Sequence, residues 1–392
     1  MGSPSNLGAL HFASIRLKNW RNFLDIDVPL QQRVFLVGPN ASGKSNFLDA
    51  FRFLSDIVTV GGGFQEAVVI NRGGISRLRC LSARRVTDIV VQVRIGSSDG
   101  GEPAWEYELH FSQDSRSNPV IKKEIVFRRG ERILNRPDDD PEDRKDPARL
   151  TQTYLEQINA NREFRDIAEF FASVRYLHLV PQLVRDPDRS LGRRNDPYGG
   201  DFLETVAQTP IKRRSSHLKR IRNALKVAVP QLAEIELTRD KRGSPHLRGR
   251  YEHWRPHGAW QTEDQFSDGT LRLMGLLWST ITGSGPLLLE EPELSLHPEV
   301  VRFIPQMFAR VQRQLNRQII TSTHSSDLLR DEGIGLDEVL LLQPGENGTS
   351  VIPAKDFDAI HQLLNGGLSL AEAVLPMTRP QNAEQLSLFG DL

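Results

Sequence analysis

Cysteine, net charge and long apolar runs are all scarce in this chain of 392 residues. Cys80 is the single cysteine, so a disulfide framework and a cysteine zinc cluster are excluded. We expect Cys80 to be a small buried or half-buried side chain. No run of about 18 apolar residues is present, which excludes a transmembrane helix, and no secretory segment is recognisable. We therefore expect a cytoplasmic protein with no membrane partner.

Sustained heptad repeats are also missing. The 221 residues between Ser45 and Ser267 contain no apolar heptads that continue over several turns, which excludes a long coiled coil. The hydrophobic content of 38% is modest but sufficient for a core. The length allows one large α/β domain with an embedded lobe, or two lobes.

A glycine-rich loop follows a short apolar run near the N-terminus. Arg33 to Val37 has the pattern of a buried strand, Gly38 follows at once, and apolar residues recur at helical spacing from Asn46 to Leu54. The loop sequence GPNASGKS is a complete G-x-x-x-x-G-K-S phosphate-binding motif in its expected setting between a strand and a helix. A glycine turn with an incidental lysine is the alternative.

Such a loop binds phosphate through backbone N–H groups and the positive end of the following helix. We expect Lys44 to reach the β- and γ-phosphates of ATP, and Ser45 to ligate Mg²⁺. The candidate nucleotide-binding residues of this loop are Gly38, Asn40, Ser42, Gly43, Lys44, Ser45 and Asn46.

A second buried strand ends in two carboxylates. Leu287 to Leu289 is apolar throughout, as in a parallel sheet covered on both faces. Glu290 and Glu291 follow at its C-terminal end, the edge where open α/β sheets bind ligands. A solvated acidic turn after a core strand is the alternative.

Four segments together resemble the motifs of the ABC-type ATPases. In chain order, residues 38–45 resemble Walker A, 266–270 the signature motif, 287–292 Walker B, and 322–325 the switch histidine. The resemblance implies an α/β fold of the P-loop NTPase class and the ABC ATPase type. It would have a mixed core sheet, an antiparallel β-lobe and a helical insertion.

The resemblance also implies roles for three residues at the second strand and beyond. Glu290 would hold Mg²⁺ through water, although this family commonly carries aspartate there. Glu291 would be the base that orients or deprotonates the attacking water. His324, at the tip of the apolar run from Gln318 to Thr323, would contact the γ-phosphate. A lone histidine at a strand end with no catalytic role is the alternative.

The signature segment implies a dimer. Ser267 and Gly269 stand at the start of a segment with helical apolar spacing, where a hydroxyl and an N–H group form an anion site. In the resembled family this site caps the γ-phosphate that the opposite subunit binds. We therefore expect a head-to-tail homodimer with two ATP molecules at the interface. Asp268 departs from the family pattern by replacing a glycine.

The N-terminal segment indicates a branch of this family. Residues 12–23 resemble the opening strand and turn of the RecF/SMC-like group, which includes stand-alone prokaryotic ATPases. By analogy alone, Arg16, Asn19 and Asn22 are candidate contacts on the nucleotide side. Only 68 residues follow His324, too few for a Toprim nuclease domain. We therefore expect an effector, such as a nuclease, to be encoded separately.

The sequence also predicts an internal organisation. We expect helix over residues 150–172 and a solvated loop over the acidic run 138–143. The predicted units are a single head over 1–380, with its nucleotide-binding core in 1–60 and 260–355, an antiparallel β-lobe in 86–134, a helical basic insertion in 150–255, and a tail peptide in 381–392.

The region from Arg185 to Arg255 is basic, with 17 Lys and Arg against 9 Asp and Glu. Several of these cations lie between Lys212 and Lys226, on one predicted helix. A basic stripe is the footprint expected for binding the phosphate backbone of DNA or RNA. A solvated or salt-bridged helix is the alternative.

Two further predictions rest on single short segments. Gln182 is a candidate for the glutamine that contacts Mg²⁺ and water in the resembled family, although a glutamine after proline is also common in loops. Gln385 to Phe389 reads QLSLF and looks like the pentapeptide that docks on the bacterial sliding clamp. The alternative for this tail is packing against its own domain or the dimer mate.

These observations predict an ATPase cycle in which ATP closes the dimer and hydrolysis reopens it. The cycle would act on DNA or on the separate effector, in genome maintenance or anti-phage defence by resemblance. One alternative is an ATP-gated sensor or scaffold whose output is partner binding. A second alternative is a direct nuclease, although acidic clusters for it are missing.

Overall fold

The structure, a computed structural model, describes most of the chain. The predicted clamp-binding peptide lies outside the described residues except for Gln385, which is exposed. The described residues are 10–83, 88–97, 101–186, 196–252, 259–379 and 385.

Strands in the described ranges form three sheets. They are β1 (Leu10–Trp20), β2 (Phe23–Pro29), β3 (Arg33–Val37), β4 (Ile89–Ser97), β5 (Trp105–Gln113), β6 (Pro119–Arg128), β7 (Glu131–Arg136), β8 (Arg175–Leu177), β9 (Leu232–Arg239), β10 (Pro245–Tyr251), β11 (Ala259–Thr262), β12 (Leu287–Glu290), β13 (Ile319–Thr323), β14 (Val339–Gly345) and β15 (Gly348–Pro353).

The described ranges also contain α-helices. They are α1 (Lys44–Val58), α2 (Phe64–Val69), α3 (Ile75–Leu78), α4 (Pro141–Lys145), α5 (Arg165–Ser173), α6 (Pro181–Val184), α7 (Phe202–Gln208), α8 (Ile211–Leu225), α9 (Asp268–Ile281), α10 (Pro298–Val301), α11 (Ile304–Leu315), α12 (Asp358–Asn365) and α13 (Leu370–Val374).

The central sheet is mixed and has the order β15-β14-β3-β13-β12-β8. Its strands β14, β3, β13, β12 and β8 are parallel, and β15 pairs antiparallel to β14 at the edge. Side chains alternate between two buried faces: Val34 and Leu36 join one core cluster, whereas Phe35 and Val37 join the other. Burial on both faces explains the apolar runs in β3, β12 and β14.

The first core cluster lies between the central sheet and an antiparallel sheet of order β2-β1-β4-β5-β6-β7. Helix α1 fills this space with aromatic rings, and the Phe12 and Phe51 centroids are 4.7 Å apart. Strands β1 and β2, which we assigned to the nucleotide-binding core, pair with the lobe sheet instead. The buried Gln318 side chain links β1 to the central sheet. Its amide nitrogen donates to the Phe12 carbonyl, and its amide oxygen accepts the Phe12 N–H.

The second core cluster lies on the opposite face of the central sheet. It contains α9, α11, α7, α8 and the small sheet β11-β10-β9. The predicted helical insertion over 150–255 therefore contains strands β8, β9 and β10 beside its helices. Helix α8 packs Leu218, Ile221 and Leu225 inward.

Two predictions about the middle of the chain are wrong. In 150–172, only the part from Arg165 onward is α-helical, and turns precede it. Those turns are stabilised from outside the segment, because the buried Glu124 carboxylate accepts the backbone N–H groups of Tyr154 and Leu155. A helix there would use these N–H groups internally, and the buried carboxylate would lose its donors.

The acidic run 138–143 is not a uniformly solvated loop. Asp140 caps α4 by accepting from the Glu142 N–H, and Asp143 is buried. The Asp143 carboxylate pairs with Arg136, at 2.7 Å, and with Arg149, at 2.8 Å. Arginine partners from outside the run bring the carboxylate into the interior, which the local composition does not indicate.

The expectation for Cys80 is confirmed, because this free cysteine is buried. Among the described residues, no helix combines the length and apolar character needed to cross a bilayer.

Candidate functional site

The phosphate-binding loop connects β3 to α1 at the carboxyl end of the central sheet. Gly43 has φ +97°, and a β-carbon on Gly38 would lie 2.6 Å from Ser42 Oγ and 2.7 Å from the Leu342 carbonyl oxygen. Neither position accommodates a side chain, so the two glycines allow the tight loop. Asn40 is exposed, and the buried Ser42 hydroxyl has no hydrogen-bond partner.

Lys44 is the first residue of α1 and is buried. Its ammonium donates to the carbonyl oxygens of Gly38, at 2.9 Å, and Pro39, at 3.1 Å. Burial lowers the pKa of Lys44, and the nearby charges of Glu291 and Glu290 oppose this shift. A buried ammonium of this kind is stabilised by an anionic ligand.

Ser45 and Glu290 are in direct contact. The Ser45 hydroxyl donates to Glu290 Oε1, and the Tyr176 hydroxyl donates to Glu290 Oε2. Tyr176 lies on β8, which pairs with β12 so that Tyr176 stands beside Leu288. The glutamate that replaces the family's aspartate is therefore held at both carboxylate oxygens. Oxygen ligands of this type are those that Mg²⁺ prefers.

Glu291 and His324 meet at the ends of neighbouring strands. His324 Nε2 lies 2.9 Å from Glu291 Oε1. The Glu291 backbone has φ +45°, and its N–H donates to the Ser322 carbonyl at 3.1 Å. The left-handed conformation redirects the chain just after β12, next to β13. The structure therefore brings these two predicted site residues together.

Basic side chains act on the Glu291 carboxylate. The hydrogen bond from His324 lowers the pKa of Glu291, and the charges of Lys44 and His178 act in the same direction. Arg272, on α9, is also close enough for the Glu291 charge to stabilise its guanidinium. Glu291 is therefore ionised at neutral pH. The sequence analysis missed His178 and Arg272, because nothing in the spacing connects β8 or α9 to the end of β12.

Glu293 is a third carboxylate at this edge of the sheet. Its Oε1 accepts the Thr323 hydroxyl at 2.5 Å and the His324 N–H at 3.2 Å. Burial raises the pKa of Glu293, and the charge of Glu291 adds to this effect. The sequence analysis assigned no role to Glu293.

The predicted signature residues lie at the start of α9. Ser267 is its exposed N-cap, and its hydroxyl oxygen accepts the Thr270 N–H at 3.2 Å. A β-carbon on Gly269 would lie 2.5 Å from the Ser295 carbonyl oxygen, so only glycine permits this close packing. Asp268 pairs with Arg185 at 2.6 Å. This ion pair accounts for aspartate where the family has glycine.

The three N-terminal candidates lie in different environments. Asn22 is beside the phosphate-binding loop, where its amide donates to the Ala41 carbonyl at 3.4 Å and its oxygen accepts from Asn46. Asn19 is buried and accepts the Cys80 N–H at 3.0 Å, so its assignment to the nucleotide side is wrong. Arg16 pairs with Asp25 on the exposed surface of the lobe sheet.

Gln182 is exposed on the short helix α6. The side chain that contacts Glu290 from β8 is Tyr176. The role of Gln182 as a metal contact stays a prediction.

Helix α8 presents a basic surface. The cations Lys212, Arg213, Lys219 and Arg220 are exposed, as is Lys226 at its C-cap. Burial of the apolar side of α8 against β9 and α9 fixes the direction in which these cations point.

The residues present fit a nucleoside triphosphate with a divalent cation. The loop has glycines that allow close backbone approach, a buried unpartnered hydroxyl at Ser42, and the buried ammonium of Lys44. Ser45 and Glu290 supply adjacent oxygen atoms for a metal. The positive N-terminus of α1 faces the same loop.

Comparison with solved structures supports this fold. The chain resembles an SMC head bound to the C-terminal winged-helix domain of ScpA, with a TM-score of 0.53, 11% identity, and coverage of 87% of this chain and 97% of that chain. It also resembles the Pyrococcus furiosus SMC head with an extended coiled coil, bound to the C-terminal domain of ScpA. The TM-score is 0.50, with 11% identity and coverage of 91% and 99%.

No curated protein matches the chain. Residues 33–331 match the family described as "AAA domain, putative AbiEii toxin, Type IV TA system". This match covers more than half of the chain and contains all four predicted motifs. The chain therefore belongs to this AAA-domain family and is an ATP-binding ABC-type ATPase of the RecF/SMC-like group, with the SMC-head fold.

Proposed function

We propose that this protein hydrolyses ATP with Mg²⁺ at the edge formed by the phosphate-binding loop, β12 and β13. The observation that carries the proposal is the contact between Glu291 and His324, 2.9 Å apart, beside the buried ammonium of Lys44. A carboxylate base, a histidine and a phosphate-binding lysine at one sheet edge are the parts that phosphoryl transfer to water requires.

Each side chain has a defined task in this proposal. Lys44 exchanges its bonds to the loop carbonyls for bonds to the phosphates. Ser45 and Glu290 would hold Mg²⁺, which would supply positive charge to neutralise the phosphates. Glu291 orients the attacking water and accepts its proton, and His324 contacts the γ-phosphate. The low pKa of Glu291 favours a role in orienting the water over strong basicity.

The dimer is the second part of the proposal. Ser267 is exposed at the positive end of a 14-residue helix, where an anion from another molecule can reach it. We propose that it caps the γ-phosphate held by a second copy of this chain, in a head-to-tail homodimer with two ATP molecules. Because these contacts would exist only in the closed dimer, ATP shifts the population toward it.

The third part concerns the output of the cycle. The exposed cations of α8 support DNA binding, because they form a basic stripe in a chain with no net charge. We propose that the closed dimer acts on DNA together with a separately encoded effector, in genome maintenance or anti-phage defence. Docking of Gln385–Phe389 on the sliding clamp stays a prediction.

ATP hydrolysis by the purified protein, with and without DNA, tests the proposal. We expect Mg²⁺-dependent turnover that Lys44→Ala abolishes and that double-stranded DNA increases. A wild-type rate equal to that of Lys44→Ala would contradict the hydrolytic function. Hydrolysis stimulated by a protein partner and unaffected by DNA would instead favour the ATP-gated sensor or scaffold. Plasmid cleavage with Mg²⁺ or Mn²⁺ would reveal a nuclease.

A matched pair of triple variants tests the role of α8. We expect the α8 variant to lose DNA stimulation and salt-dependent DNA binding, whereas the control keeps both. Equal DNA responses of the two proteins would exclude this surface. The α8 variant replaces the exposed lysines Lys212, Lys219 and Lys226 by alanine, and the control replaces Lys122, Lys145 and Lys355, which are exposed elsewhere.

A further inference from the structure

Glu293 contacts the end of β13 at two points. One carboxylate oxygen, Oε1, accepts the Thr323 hydroxyl at 2.5 Å and the His324 backbone N–H at 3.2 Å. Thr323 is fully buried, and its hydroxyl oxygen also accepts the Ser325 N–H at 3.0 Å. Both residues that flank His324 are therefore connected to Glu293 through one hydroxyl.

Glu291, two residues earlier, contacts the same histidine from its other end. Its carboxylate meets the imidazole Nε2 at 2.9 Å, whereas Glu293 accepts from the backbone N–H. The Glu291 N–H also bonds to the Ser322 carbonyl, at 3.1 Å. The segment after β12 therefore determines both the backbone position of His324 and the partner of its ring.

We propose that Glu293 is a positioning residue for ATP hydrolysis, which holds the backbone at His324 so that the imidazole stays in contact with Glu291. This inference rests on the proposed hydrolytic function. Neither contact of Glu293 involves the predicted metal ligands Ser45 and Glu290, so its effect is expected to pass through the histidine.

The chemistry of the side chain supports a positioning role. Its second oxygen, Oε2, is buried and has no hydrogen-bond partner, although burying an unpaired polar atom is unfavourable. Folding alone would be served better by a residue without this atom. An incompletely paired carboxylate at the edge of the site therefore favours a functional role for Glu293 over a purely structural one.

Variants of Glu293 and His324, alone and combined, test the inference by steady-state ATP hydrolysis. We expect Glu293→Ala to lower kcat about 10- to 100-fold, because a small displacement of a positioned group has effects of this size. The KM for ATP should change less than twofold, since Glu293 makes no hydrogen bond to Lys44 or the loop and its charge is the smallest of the carboxylate effects on Lys44. Glu293→Gln keeps an acceptor oxygen and should restore at least half of the wild-type kcat.

The double variant provides the readout that a purely structural role would not give. If Glu293 acts through the histidine, Glu293→Ala should lower kcat no further once His324→Ala is present. Multiplication of the two losses in the double variant would overturn the inference. An unchanged kcat in Glu293→Ala would also overturn it, as would a loss confined to KM.

A second substitution separates positioning from misfolding. Thr323→Val removes the hydroxyl while preserving the shape of the side chain, and we expect the same direction of change in kcat as for Glu293→Ala. Wild-type values of kcat for Thr323→Val would contradict the proposed contact path. If wild-type protein and Lys44→Ala hydrolyse ATP equally slowly, the proposed function fails. If the wild type is faster but Glu293→Ala matches it, the inference alone fails.

Discussion

Glu290 shows how one residue depends on neighbours that are distant in sequence. Its two carboxylate oxygens accept the hydroxyls of Ser45 and Tyr176. The motif pointed to Glu290 and Ser45, because both belong to contiguous patterns. Tyr176 lies 114 residues before Glu290 and reaches it only through the pairing of β8 with β12. No local pattern could have identified this tyrosine.

The first prediction concerns Tyr176→Phe. Loss of the hydroxyl removes the hydrogen bond that orients the Glu290 carboxylate, and such outer contacts are worth about 10- to 100-fold in metal affinity. We expect the Mg²⁺ concentration for half-maximal ATP hydrolysis to rise at least about 10-fold. Tyr251→Phe, at a half-buried tyrosine that packs on Phe266, serves as the control and should leave the requirement unchanged. Equal Mg²⁺ dependence of the two variants would contradict the role of Tyr176.

The strands and helices that carry the site were predictable from the sequence. The contacts between segments that are distant in sequence were not. Strand β3, the glycine loop and α1 follow from apolar spacing and glycine placement, and Val34 to Val37 are buried as expected. The acidic run and the segment 150–172 were mispredicted, because distant partners determine their structure. Glu124 and Arg136 are both fully buried and tie these segments to β6 and β7.

The second prediction compares two aspartates of the acidic run. Asp143→Ala leaves the buried Arg136 with fewer partners, and breaking a buried pair costs roughly 3–5 kcal/mol. Because Arg136 keeps Glu124, we expect the lower end, about 3 kcal/mol less free energy of unfolding. The matched control Asp138→Ala removes an exposed carboxylate and should change this value by less than about 0.5 kcal/mol. Urea unfolding measures both, and equal losses would refute the buried network.

The third prediction concerns the start of α2. Glu156 accepts the Phe64 N–H at 2.6 Å, and burial raises the pKa of this carboxyl to about 7. The folded state therefore binds the proton more tightly than the unfolded state, whose glutamate pKa is about 4.5. Stability from this group is complete below pH about 4.5 and is lost as the pH rises through about 7.

Glu156→Gln cannot ionise and should not show this loss. We expect the free energy of unfolding of the variant, relative to wild type, to increase by about 3 kcal/mol between pH 4.5 and pH 8. Urea unfolding at several pH values measures the difference, in which titrations common to both proteins cancel. A difference that stays constant with pH would contradict the raised pKa of Glu156.

At the scale of the whole molecule, the order of four motifs was sufficient to predict the fold. The central mixed sheet brings the ends of β3, β12 and β13 side by side, so Lys44, Glu291 and His324 converge at one edge. The proposed dimer, in contrast, does not follow from the fold of a single chain. Ser267 lies at the exposed start of α9, and the nucleotide that it would contact belongs to a second chain.

The measurement that tests this account most directly is the mass in solution of Glu291→Gln with and without ATP and Mg²⁺. Substitution of the proposed base should slow hydrolysis and retain the proposed closed state. We expect the 44.3 kDa monomer to become a dimer of twice that mass with ATP. Adding Ser267→Arg should return it to the monomer without loss of ATP binding. If Glu291→Gln binds ATP but stays monomeric, the ATP-sandwiched dimer is contradicted.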